Sequence, residues 1–158
     1  MKISFETNND RETFALAERL AAYLQPDTNL LLDGDLAAGK TVFAKGLGKG
    51  LNIREHIKSP SYTLLCMYQG RLPFYHFDTY NLNGPDDFYD LGFEEYIDCG
   101  GVVLIEWASV IRSDFSYGHI HIDIEKTGEE SRKLIITAED EHHMKILKEW
   151  RQNENTGL

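Results

Sequence analysis

Cysteine is scarce in this chain, with only Cys66 and Cys99 among 158 residues. Two cysteines exclude a disulfide-stapled scaffold and a CxxC site, and both read as core thiols of a reducing compartment. Proline is also rare, at four residues, and no Pro/Gly/Ser-rich linker interrupts the chain, so a single domain over residues 1–158 is expected. Apolar runs stay well short of the ~20 residues that a membrane span needs. The N-terminal Met1-Lys2-Ile3-Ser4-Phe5 has no signal-peptide core. A cytoplasmic protein with no membrane partner follows. Cations are few: 16 Lys and Arg against 26 Asp and Glu leave a formal charge of −10. Such an acidic chain is poorly suited to grip the phosphates of DNA or RNA by itself. What is present is a core, since 42% of residues are hydrophobic and 11% aromatic, which excludes disorder.

The elements read as an α/β domain with a mixed sheet. Asn9 and Glu12 form a capping-box pair ahead of Ala17, Leu20, Ala21 and Leu24, which predicts a helix over residues 10–24. Asn29–Asp33 is an apolar run without polar alternation, as a strand buried on both faces requires. A Gly-containing turn and a helix over residues 40–50 follow. Thr63–Tyr68 and Leu72–Phe77 flank Gln69-Gly70-Arg71 as a hairpin. Short helical turns are expected over Pro85–Tyr89 and Phe93–Ile97, and a second buried strand over Val102–Ile105. Ile120, Ile122 and Ile124 alternate with His119, His121 and Asp123, a strand with one wetter face. Its partner strand is Arg132–Thr137. A polar helix over about 139–151 ends the fold, with a flexible tail over 152–158.

Gly34-Asp35-Leu36-Ala37-Ala38-Gly39-Lys40-Thr41 matches G-x-x-x-x-G-K-[ST] at each required position, with Val42 next in the helix. A buried strand precedes it and a helix follows. Phosphate binding needs several backbone N–H groups converging at a helix N-terminus, and small residues at Ala37, Ala38 and Gly39 permit that approach. Lys40 would neutralise the β/γ-phosphates and the Thr41 hydroxyl would ligate Mg²⁺. Two apolar strands each deliver an acid to the carboxyl edge, where ligands bind in open α/β sheets: Asp78 and Glu106. Glu106 is the first choice for polarising water or holding Mg²⁺. Asp78 is the choice for the metal, directly or through water.

Four motifs in order, Gly34–Thr41, Ser59-Pro60-Ser61-Tyr62-Thr63-Leu64, His76-Phe77-Asp78-x-Tyr80 and Ile105-Glu106-Trp107, resemble the TsaE family over about residues 5–137. The resemblance implies a three-layer P-loop domain with a mixed parallel and antiparallel sheet. It implies a Mg²⁺-dependent ATPase that supports TsaB and TsaD in N6-threonylcarbamoyladenosine modification of tRNA. Low intrinsic turnover is expected because no arginine finger lies near the motifs, and the poverty of cations leaves the tRNA held mainly by the partners. The resemblance casts Lys40 and Thr41 as phosphate and Mg²⁺ ligands, Ser59–Thr63 as a switch-like segment, and Asp78 and Glu106 as the acids required for hydrolysis. Trp107 flanks the site with Tyr80 at its rim, and Thr13 approaches the nucleotide from the first helix. Three positions depart from the family pattern: Ala37 stands for a usual Gly, Ser61 for Thr and Asn81 for Arg.

Other groups have plainer readings. Between Ser61 and Glu125 only Arg71 and Arg112 oppose eleven acids. Most of these acids form a solvated surface, although Asp86, Asp87, Asp90, Glu94 and Glu95 could face a basic partner. The same poverty of cations argues against a small-molecule or nucleoside kinase, the main competing enzyme, because no Arg-rich lid is present. No arginine finger lies near the motifs in sequence. An N-K-x-D guanine motif is absent, and a non-hydrolysing ATP-dependent binding switch stays open. His119, His121, His142 and His143 lack further ligands at metal spacing and read as surface histidines.

Overall fold

The computed structural model describes residues 1–35, 37–58, 60 and 64–155. Seven strands form one sheet in the order β1-β7-β6-β2-β5-β4-β3. They are β1 (Lys2–Thr7), β2 (Thr28–Gly34), β3 (Leu65–Gln69), β4 (Pro73–Asp78), β5 (Val102–Glu106), β6 (Ile120–Lys126) and β7 (Arg132–Ala138). The four central strands β6, β2, β5 and β4 run parallel, and β7, β1 and β3 add antiparallel edges. The expected mixed α/β sheet is therefore what the chain forms.

Helices α1 (Asp10–Ala21), α2 (Lys40–Gly50) and α4 (Glu141–Asn155) cover one face, and α3 (Pro85–Asp90) with 3-10 turns at Phe93–Tyr96, Ala108–Val110 and Arg112–Asp114 covers the other. Strand periodicity divides the core accordingly: Leu30, Leu32, Val102 and Leu104 pack toward α1 and α2, while Leu31, Val103 and Ile105 pack toward α3. Leu30, Leu31 and Leu32 are all fully buried, which is why β2 shows no polar alternation. Asn9 caps α1 as expected, its Oδ1 accepting the Glu12 N–H at 2.9 Å.

Several expectations differ from the structure. β1 is not among the expected strands; it lies along β7, Lys2 paired with Thr137 and Thr7 with Arg132. The last helix runs to Asn155 rather than stopping near 151. Its end is tied down by Glu154, which accepts from Arg19 Nε at 2.7 Å and from Trp150 Nε1 at 3.2 Å. Cys99 is exposed and Cys66 only partly covered, so neither is a core thiol. His121 and His143 are buried rather than superficial. No helix among the described residues is long and apolar enough to cross a membrane.

Candidate functional site

The carboxyl ends of β2, β5 and β4 meet at one edge of the sheet. Parallel register sets Asp78 beside Glu106, and Leu32, two residues before the loop, pairs with Glu106 on its other side. Side chains at 78 and 106 therefore share the face that carries α2. A cavity of about 390 Å³ opens there, lined by Ala37–Val42, Asp78, Glu106, Trp107, Arg132 and Asp10. The structure thus brings together the loop, both acids and the Trp107 that the sequence singled out.

The loop's backbone is shaped for close approach. A Cβ on Gly34 would fall 2.8 Å from the Ile124 carbonyl oxygen, so that residue must be glycine for β2 and β6 to stay paired. Gly39 caps α2 at φ 105, a left-handed conformation. Ala37 also takes a left-handed φ of 62, the strained case raised by its departure from glycine. Ala38 N–H closes the turn on the Asp35 carbonyl at 3.0 Å. Leu36, Ser59, Ser61, Tyr62 and Thr63 lie outside the described residues, so of the switch-like segment only Pro60 is placed. It is buried, and its carbonyl accepts the Leu64 N–H at 2.7 Å.

Lys40 is buried for a lysine, at 7% exposed. Its Nζ donates to the Gly34 carbonyl and lies 3.3 Å from the Trp107 ring centroid. Burial pushes its ammonium below the usual lysine value, against the pull of Glu106, Asp78, Asp33 and Asp35. Trp107 adopts a left-handed φ of 58 directly after β5, and its ring packs tilted against Tyr80 at 4.8 Å and 49°, Tyr80 being half exposed at the rim. Thr41 is exposed at the start of α2. Asp78 Oδ1 accepts the Tyr80 N–H at 2.9 Å, and Glu106 Oε2 lies 2.7 Å from His76 Nε2. Thr13 is not a surface residue: it is 1% exposed, shares a 2.7 Å hydrogen bond with Thr7, and comes within 4.0 Å of where a Gly39 Cβ would stand.

Arg132 was missed. Spacing gave no hint of it, because it arrives from β7 more than 90 residues after the loop. Its Nε donates to the Ala38 carbonyl at 2.9 Å and its Nη2 to Ala37 at 3.1 Å, so an arginine does stand at the motif, engaged with the loop's own backbone. Its Nη1 donates to Ser131 at 2.8 Å, tying the β6–β7 turn to the same guanidinium.

On the opposite face of β2, Asp33 Oδ2 bonds His121 Nε2 at 2.8 Å and Oδ1 accepts the Ser109 N–H at 2.9 Å. Burial works against that carboxylate, yet the His121 and Ser109 hydrogen bonds hold it below its ordinary value.

The model of the family described as "Threonylcarbamoyl adenosine biosynthesis protein TsaE" matches residues 7–134. The chain belongs to the TsaE family. Over 155 residues it is 36% identical to the Bacillus subtilis protein named tRNA threonylcarbamoyladenosine biosynthesis protein TsaE, covering 98% of this chain and 97% of that one. A Treponema pallidum TsaE is 40% identical over 113 residues, 72% of this chain and 84% of its own. The crystal structure of Bacillus subtilis YdiB superposes with a TM-score of 0.84 at 33% identity, over 98% and 97% of the two chains. All four motifs singled out in the sequence lie within the matched span, as does Arg132.

Proposed function

We propose that this TsaE-family chain is a slow Mg²⁺-dependent ATP hydrolase serving N6-threonylcarbamoyladenosine modification of tRNA, in the cytoplasm, beside TsaB- and TsaD-type proteins that hold the tRNA. The observation that carries the reading is the in-register pair of acids, Asp78 and Glu106, sharing one cavity with the loop lysine. The names of the relatives supply the pathway, and the acidity of the chain favours tRNA contact through partners rather than directly.

In this reading the loop N–H groups and Lys40 receive the triphosphate, and Lys40 exchanges its Gly34 and Trp107 contacts for phosphate oxygens. Glu106 orients the water that attacks the γ-phosphorus and accepts its proton. The residues present suit a small hard cation, because the Thr41 hydroxyl and the Asp78 carboxylate offer oxygen donors, with Glu106 close by. Bound Mg²⁺ would supply charge neutralisation on the phosphate oxygens. Arg132 holds the Ala37 and Ala38 carbonyls, which keeps the loop's N–H groups turned toward the phosphates.

ATP turnover by the purified chain, alone and with both partner proteins, tests the proposal beside Lys40→Ala and Glu106→Ala. The expected result is slow turnover that rises with partners and vanishes in both variants. Bound ATP without turnover in any mixture would leave a nucleotide-dependent binding switch. Transfer of phosphate to a metabolite would make the chain a kinase.

A further inference from the structure

We propose that His76 is a positioning residue for Glu106: its Nε2–H fixes one carboxylate oxygen at the end of β5 and thereby aims the group into the phosphate cavity. The inference rests on the reading of Glu106 as the acid that orients the nucleophile.

Both groups are buried, His76 to 1% exposed and Glu106 to 4%, and Nε2 and Oε2 are 2.7 Å apart. In the β4–β5 register His76 faces Leu104 while Asp78 faces Glu106. His76 thus lies one layer behind the two acids on the same face of the sheet and reaches diagonally to the nearer strand end. The other ring nitrogen decides where the proton is. Nδ1 is buried with no hydrogen-bond partner among the described residues. A proton there would be a buried donor without an acceptor, so the ring carries its proton on Nε2 and donates it to the carboxylate.

Stability does not account for this dyad. Its neighbours on that face, Phe74, Val102 and Leu104, are fully buried apolar residues, and Phe74 stacks on the imidazole at 5.9 Å and 21°. Apolar side chains of similar volume in place of both partners would fill the layer at least as well, whereas losing His76 alone strands a buried carboxylate, so the pair is kept for the acid it holds. What a histidine supplies that Phe or Leu cannot is a directed N–H. Glu106 has three side-chain torsions and stands beside a second carboxylate, so an unanchored group would spread over several rotamers. Asp78 has an anchor of its own in the Tyr80 N–H. Each acid is thereby held separately, as a reacting group and a metal ligand with different tasks must be.

The test compares His76→Gln, His76→Asn and His76→Phe, in the wild-type and Glu106→Gln backgrounds, with the partner proteins present. Gln carries its amide nitrogen to the position of Nε2, whereas Asn carries it only as far as Nδ1. The expected result is a fall in kcat of about 10–100-fold for Asn and Phe. ATP affinity should stay within about twofold, because the loop is untouched, and Gln should recover most of the rate. In the Glu106→Gln background, whose own turnover is expected to be lost, the His76 variants should leave ATP affinity unchanged. Should the Phe variant not fold, the Gln and Asn pair carries the comparison. Independently of turnover, ¹⁵N spectra of the histidine rings should show His76 protonated at Nε2 and bare at Nδ1. An Nδ1–H ring overturns the proposal, as does a loss of ATP affinity in the Asn and Phe variants that matches the fall in rate, which would mark a structural role. Full activity in His76→Phe with loss in Glu106→Gln overturns the proposal and leaves the catalytic reading standing. Full activity in Glu106→Gln overturns both.

Discussion

Lys40 Nζ stands 3.3 Å over the centre of the Trp107 ring while donating to the Gly34 carbonyl. If the site takes ATP as proposed, the indole and the phosphate chain compete for one ammonium. Of the two tryptophans, Trp150 projects from α4 and is fully buried against Phe5, and only Trp107 borders the cavity. ATP binding should change the protein's tryptophan emission through Trp107 alone. Titration of Trp107→Phe with ATP checks this: the change should vanish, and an undiminished signal would show that the indole does not meet the nucleotide.

Ala37 bears a φ of 62, where an L-residue costs roughly 1–2 kcal/mol relative to its right-handed counterpart. Ala37→Gly removes that strain, but it also gives the unfolded chain freedom worth about 0.4–1 kcal/mol. The net expectation is a gain between about zero and 1.6 kcal/mol in unfolding free energy, with ATP bound at least as tightly. Urea unfolding measures the first and equilibrium binding the second. A clear loss of stability would mean that the Ala37 methyl makes a contact worth more than the strain.

Arg132 donates to carbonyls on both sides of the site, at Ala37 and Ala38 in the loop and at Ser131 in the β6–β7 turn. Hydrogen bonds to a charged group are worth about 1.5–3 kcal/mol. Arg132→Ala should lower stability by an amount in that range and weaken ATP binding as the loop relaxes. Arg132→Lys should recover little, because an ammonium cannot reproduce the planar fork that spans two successive carbonyls. If both variants bind ATP as the parent does, the brace has no bearing on the loop.

How much of this site was legible depends on how locally each part is written. The loop and α2 follow from eight contiguous residues, and α2 begins and ends where the sequence placed it, at Lys40 and Gly50. Asp78 and Glu106 could be paired in advance because each closes an apolar run, and strand ends in a parallel sheet share an edge. Arg132 could not be found that way, since it reads as the first residue of a surface hairpin until the sheet order brings β7 back toward β2. β1 carries a faint signal of its own: Ile3 and Thr7 are buried while Lys2, Ser4 and Glu6 are exposed. The burial of His143 left no trace, because Asp140 is a local partner at the start of α4 that an exposed histidine could equally have, and Asn29 meets the ring only after folding.

His143 makes stability depend on pH in a defined window. The ring is 3% exposed; its Nε2 accepts the Asn29 N–H at 3.0 Å and its Nδ1–H donates to Asp140 at 2.6 Å. Burial pushes the imidazole below its ordinary 6.5, with His142 and His119 pushing the same way and Asp140 opposing. The folded chain therefore refuses a proton that the unfolded chain accepts. The contribution is whole above 6.5 and is lost as pH falls below it toward the lower folded value, with a slope of at most about 1.4 kcal/mol per pH unit for one proton. Asp140 acts lower down. Burial opposes its ionisation, but the bond from His143 and the His143 N–H hold its carboxyl below 3.8, so its share is lost only in stronger acid. Urea unfolding between about pH 7.5 and 5 should show His143→Gln with a slope shallower by about one proton than the parent. Equal slopes would mean that the ring takes its proton in the folded state and that the Asn29 bond yields to it.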